Sequence, residues 1–107
     1  MNENRLKGLM GLCVRAGQAV FGEESCLKAV RSGQAALMLM DESISESTAE
    51  KTEHLCGREG IPARRLPEGL LGEATGKPGK TMAVRPGGFA AQMISCLDEA
   101  GQASEKQ

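Results

Sequence analysis

Six consecutive apolar residues, Ala35-Ala-Leu-Met-Leu-Met40, are followed at once by Asp41-Glu42-Ser43. A run this short and uninterrupted is the pattern of a β-strand covered on both faces, because a half-exposed strand or an amphipathic helix would place polar residues within it. Such a strand needs helices above and below it, and the flanking sequence supplies them.

Asn4 to Arg15 carries Leu6, Leu9, Met10 and Cys13 at helical spacing and ends near Gly17. Gln18 to Phe21 is a very short extended segment. Glu23 to Ser32 predicts a second helix that buries Cys26, Leu27 and Val30 and stops at Gly33. After the apolar strand, Ser43-Ile-Ser-Glu46 fits a capping box and opens a third helix, with Ile44, Thr48, Thr52, Leu55 and Cys56 on one side and Gly60 as its stop. Ile61 to Leu66 reads as a strand, and Pro67 to Thr75 as a short helix with proline at its first position. Lys77-Pro-Gly-Lys80 predicts a type II turn and Thr81 to Arg85 a strand. Phe89 to Ala100 is a last helix ended by Gly101. This alternation predicts an α/β fold, a three-layer α/β/α sandwich with a small, mostly parallel sheet of about four strands. Residues 1–101 form one domain in this reading, and 102–107 a disordered tail. Ligands of open sheets gather at strand ends, which directs attention to Gly17–Glu24, Asp41–Ser45 and Gly76–Gly88.

Composition narrows the chemistry. The 107 residues include two Phe, six Met and no Tyr or Trp, so the core is aliphatic and binding modes that stack bases on aromatic platforms have no support. Cys13, Cys26, Cys56 and Cys96 form no C-x-x-C pair and are expected as reduced, buried thiols. His54-x-Cys56 has no second ligand pair, so no metal and no cofactor are expected. No apolar run is long enough to span a bilayer and no leader opens the chain, so a cytoplasmic location without membrane contact is expected, and separately a monomer. The net charge of -1 hides segregation. Residues 41–60 carry six acidic and two basic side chains, whereas residues 61–88 carry five basic and two acidic. Local potential, not the total, governs encounter with a polyanion.

Catalysis finds little footing. Gly17-Gln-Ala-Val-Phe-Gly22 has the glycine spacing of a phosphate-cradling loop, but Glu23 and Glu24 stand where lysine and a hydroxyl are required. His54 lies in a polar helix. Asp41 and Glu42 end a strand, and Ser43 and Ser45 read as helix caps before nucleophiles. The basic residues fit a different task. Lys28 and Arg31 lie one helical turn apart, Lys77 and Lys80 flank a tight turn, and Arg85 ends a strand. With the N–H groups of the helix start after Gly22, these are the parts of a phosphate-binding surface.

Leu9–Gly17, Gly22-Glu-Glu24, Lys28–Gly33, Ala35–Asp41, Gly60-Ile-Pro62, Leu71–Lys77 and Ala83-Val84 leading to Gly88-Phe-Ala90 run in an order that resembles the kink-turn RNA-binding superfamily of ribosomal L-seven-Ae and L-thirty-e proteins, above all its bacterial YlxQ-like branch. The resemblance implies an α/β/α sandwich and non-catalytic, ribosomal-protein-type binding of structured RNA, ribosomal RNA included. It implies a G-x-N-E-x-x-K motif at the second helix start and a second loop before the last strand that covers a flipped-out nucleotide. Gly22 and Lys28 match that motif, while Glu24 stands at the Asn position and Ser25 at the Glu position. By resemblance the RNA-binding edge consists of Gly22, Glu23, Glu24, Ser25, Lys28, Arg31, the Asp41-Glu42-Ser43 loop, and Lys77, Lys80, Thr81 and Met82. The departures at 24 and 25 motivate an alternative, a protein-interaction module on the same fold that has lost kink-turn recognition.

Overall fold

The computed structural model describes residues 1–105, with side chains for residues 1–98. Five helices and four strands alternate: α1 Glu3–Arg15, β1 Ala19–Phe21, α2 Glu23–Arg31, β2 Leu37–Asp41, α3 Glu46–Arg58, β3 Ala63–Leu66, α4 Leu70–Thr75, β4 Thr81–Val84 and α5 Gly88–Glu105. The sheet order is β1-β4-β2-β3.

The apolar run behaves as its pattern demands. Leu37, Met38, Leu39 and Met40 are all 0% exposed. Leu37 and Leu39 join a cluster with Leu6, Met10, Leu70, Leu71 and Met93 of α1, α4 and α5. Met38 and Met40 face the other way, into Leu27, Val30, Ala49 and Cys56 of α2 and α3. Alternation along one strand therefore builds two cores and three layers, and each such side chain contributes roughly 1.5–3 kcal/mol by leaving water. All four cysteines are free and buried, as expected.

The α/β class and four strands agree with the sequence reading, but the sheet is mixed. Only β2 and β3 run parallel, and β4 is antiparallel to both of its neighbours, β1 and β2. The Lys77–Lys80 turn brings the chain into β4 from the end of the sheet where β1 and β2 finish, so β4 can only run back against them.

Three local expectations also shift. The cap of α3 is Ser45, whose hydroxyl accepts from the Thr48 N–H. Ser43 is occupied elsewhere, since both its N–H and its hydroxyl donate to Asp41 Oδ1. Helix α4 starts after Gly69, not at Pro67. The Gly69 N–H donates to Asp41 Oδ2, which holds the chain in a turn, and Gly69 is left-handed at φ 85°. Helix α5 passes through Gly101 to Glu105. The end of the expected tail, residues 106 and 107, lies outside the described residues. No described helix is long and apolar enough to cross a membrane.

Candidate nucleic-acid interface

Register places the candidate residues. Phe21 pairs with Met82, and Met40 with Thr81. The ends of β1 and β2 therefore flank the start of β4, and three loops meet at one end of the sheet. Gly22 follows β1, Asp41-Glu42-Ser43 closes β2, and Lys77–Lys80 leads into β4. Neighbouring strands are about 4.8 Å apart, so these loops lie within roughly 10 Å of one another.

Gly22 makes the turn from β1 into α2. Its backbone is at φ 94° and ψ 142°, a conformation that strains any residue with a Cβ, although a Cβ there would meet no atom within 4 Å. Glycine is thus needed for the backbone angle and not for room. The Gly22 carbonyl accepts the first helical bond from Cys26 N at 2.9 Å, and the first-turn N–H groups have no helical carbonyl before them. Helix α2 buries Cys26, Leu27, Ala29 and Val30. Its exposed side presents Glu24, Ser25, Lys28 and Arg31. Burial pushes the Cys26 thiol up, against hydrogen bonds from Thr81 and Ala83.

Asp41 is the joint between the loops. It is 5% exposed, takes two bonds from Ser43 at 2.8 and 2.6 Å, and takes one from the Gly69 N–H at 2.9 Å. Its own N–H donates to the Lys80 carbonyl at 2.8 Å, and Glu42 N donates to the Leu66 carbonyl at 2.8 Å. The Ser43 hydroxyl lowers the Asp41 pKa most, helped by the Ser43 and Gly69 N–H groups and the Lys80 charge, while burial opposes them. A carboxylate so fully engaged positions a loop, and it is not available as an acid or base.

Ion pairs divide the cations. Lys51 pairs with Glu23 at 3.4 Å, so one acidic residue of the expected edge is tied to α3. Lys7 pairs with Glu73 at 2.9 Å, and Arg65 is held by both Glu46 and Glu53. Among the described residues, Lys28, Arg31, Lys77 and Arg85 have no carboxylate partner. Among the described residues the Arg85 guanidinium bonds the neutral Gln34 Oε1, at 3.4 Å.

Besides Asp41, two more residues of the expected edge are buried and not surface residues. Met82 is 0% exposed and belongs to the core against α1, α4 and α5, and Thr81 is 4% exposed. Strand β4 is paired on both sides and covered on both faces, so the exposed part of this segment is the Lys77–Lys80 turn. Nor do all three segments at the strand ends converge. Gly17 and Gly22 lie beyond opposite ends of β1, and Arg85 N donates to the Gln18 carbonyl at the sheet end opposite Gly22. A groove of about 190 Å³ runs between these ends, floored by Val20 and Ala29, with Ser25 and Lys28 at one end and Ser32, Gln34 and Arg85 at the other. Gln34 and Ser32 carried no sequence signal, because their place beside Arg85 depends on where β4 ends.

Known proteins share this architecture. The chain is 36% identical over 92 residues to the RNA-binding protein YlxQ of Bacillus subtilis (strain 168), covering 84% of this chain and 92% of that one. It is 29% identical over 90 residues to the RNA-binding protein YlxQ of Enterococcus faecium, covering 83% and 87%. A solved structure of a Bacillus halodurans protein of unknown function superposes with a TM-score of 0.83 at 31% identity, over 88% of this chain and 97% of that chain. The Giardia lamblia 15.5kD RNA binding protein shares the fold at a TM-score of 0.71 and 16% identity, over 90% and 87%. The model of the ribosomal protein L7Ae/L30e/S12e/Gadd45 family matches residues 4–92. The chain, with this sandwich and these bacterial relatives, belongs to that family and to its YlxQ-like branch.

Proposed function

We propose that this protein is a non-catalytic RNA-binding protein of ribosomal-protein type that grips a sharply bent, kink-turn-like RNA at the sheet end where α2 begins. The observation that carries this reading is the pairing of Phe21 with Met82, which sets the Gly22 turn beside the Lys77–Lys80 turn. Lys28 and Lys77 project cationic groups there without carboxylate partners among the described residues, and the first-turn N–H groups of α2 add donors for phosphate. A bend matters because it opens base edges that a regular RNA duplex hides in its deep groove. The names of the bacterial relatives support the RNA-binding part of the reading.

Glu24 and Ser25 define what recognition this edge retains. A glutamate carboxylate accepts from a guanine amino group but does not donate as an asparagine amide does, and Ser25 is shorter than the glutamate it replaces. Binding therefore leans on backbone shape and phosphate more than on base edges. Retention of a kink-turn RNA and of a matched straight duplex, each at two salt concentrations, tests the proposal. Preference for the bent RNA is expected, and equal retention of both RNAs defeats the kink-turn reading. Partner capture from nuclease-treated lysate tests the protein-interaction alternative, which Glu24 and Ser25 motivate.

A further inference from the structure

We propose that the groove along the outer flank of α2 is a second phosphate site, which carries RNA backbone away from the helix start to Arg85 at the opposite end of the sheet. The proposal rests on the RNA-binding reading above and extends its footprint beyond any motif residue.

The groove's chemistry selects an anion. Its polar lining consists of Ser25, Lys28, Ser32, Gln34 and Arg85, with hydroxyls, an amide and two cations, and no carboxylate. Gln34 Oε1 accepts from Arg85 Nη1 at 3.4 Å, which orients the guanidinium without neutralising it. A neutral partner leaves the full charge for a ligand, whereas a carboxylate would cancel most of it. The floor, Val20 and Ala29, contains no aromatic ring on which a base would stack. The fitting ligand is therefore backbone phosphate and not a base.

Geometry gives the extent. Helix α2 has nine residues, which is roughly 13 Å of length. Ser25, Lys28 and Ser32 fall on one stripe at spacings of three and four, so the stripe runs the length of the helix. This length spans more than one consecutive backbone phosphate. The carbonyl end of α2 would oppose an anion, but Ser32 N, Gly33 N and Gln34 N already bond the Lys28, Val30 and Ala29 carbonyls at 3.0, 3.2 and 2.8 Å. Lys28 and Arg85, without carboxylate partners among the described residues, are then the charges that line the groove.

The test measures wild type, Arg85→Gln, Arg85→Lys and Ser32→Asp against a kink-turn RNA and a matched straight RNA duplex across a salt series, with thermal melting of each variant. Arg85→Gln is expected to weaken binding about three- to tenfold at low salt on both RNAs and to reduce the salt slope by about one. Arg85→Lys, which keeps the charge, restores most of the affinity. Ser32→Asp leaves β4 untouched and adds negative charge to the groove, and it is expected to weaken binding at least as much. Wild-type affinity and slope in both Arg85→Gln and Ser32→Asp overturn the proposal. If wild type binds both RNAs equally, the kink-turn reading fails while the groove is still decided by the variants on the straight duplex. If wild type binds neither RNA at low salt, both are overturned.

Discussion

Arg65 on β3 and Lys28 on α2 lie on the same side of the sheet, yet they sit in opposite electrostatic settings. Arg65 donates to Glu53 at 3.0 Å through Nε and through Nη2, and to Glu46 at 3.2 Å through Nη2. Glu53 first, and Glu46 after it, hold the guanidinium protonated above its ordinary range, and Arg65 in turn lowers the Glu53 pKa. Lys28 is exposed and has no carboxylate partner among the described residues. A cation already bonded to two carboxylates offers little field to a polyanion, whereas one facing neutral groups offers its full charge. Glu46 and Glu53 of the acidic segment 41–60 thus neutralise Arg65, whereas Lys28 keeps its charge for a partner. A formal net charge of -1 is compatible with RNA binding for this reason.

The largest way to break this contrast is to remove the joint beneath it. Asp41→Ala discards three hydrogen bonds at a buried site and leaves the Gly69 N–H without its acceptor, so a loss of about 3 kcal/mol in urea unfolding is expected. RNA retention should fall with it, because the Ser43 loop and the Gly69 turn lose their common anchor. The same site sets a pH dependence. The folded Asp41 pKa lies below its ordinary value of 3.8, so its stabilisation is fully present above that pH and is lost as pH falls through the folded pKa. Wild type and Asp41→Ala should therefore converge in stability on acidification. A constant gap down to the lowest pH would refute the assignment.

Gly22→Ala comes next. A methyl group there meets open space, but φ 94° costs about 1–2 kcal/mol, read as a lower urea midpoint at unchanged slope. An alanine variant as stable as wild type would mean that the turn into α2 relaxes freely. Lys28→Ala follows, with RNA affinity reduced about five- to tenfold at low salt, a salt slope lower by about one, and an unchanged melting temperature. The smallest effect belongs to the other face. Arg65→Gln should leave RNA affinity within error and lower the melting temperature by no more than a few degrees, less at high salt, because exposed ion pairs are weak and screened. If Arg65→Gln weakened RNA binding as much as Lys28→Ala, the contrast between the two edges would be wrong.

How much of this was legible in the sequence varies with the range of the interaction. The apolar run 35–40 announced a strand covered on both faces, and the helical stripes of α1, α2 and α5 announced what covers it, because periodicity is a local property. Gly22 was legible as a special position for a similar reason, since backbone angles are set by neighbours in the chain. Met82, expected on the exposed edge, is buried, since a residue next to an exposed turn looks, in sequence, like part of it. Only the two-sided pairing of β4 shows that its side chains point into cores. Ser43 likewise resembled a helix cap until Asp41, two residues before it, took its hydroxyl.

The sequence by itself therefore determined the identity and order of the elements, the aliphatic core, the glycine turn into α2, and the family. The tertiary structure alone decided the direction of β4. That direction followed from which strands it reaches across the sheet, a long-range choice that no local pattern encodes. It set Lys77 and Lys80 beside Gly22 and sent Arg85 to the far end, while the pairing of β3 with β2 brought Arg65 to the carboxylates of α3. Which cations are free for a partner is a property of distances between segments, and distances exist only once the chain has folded.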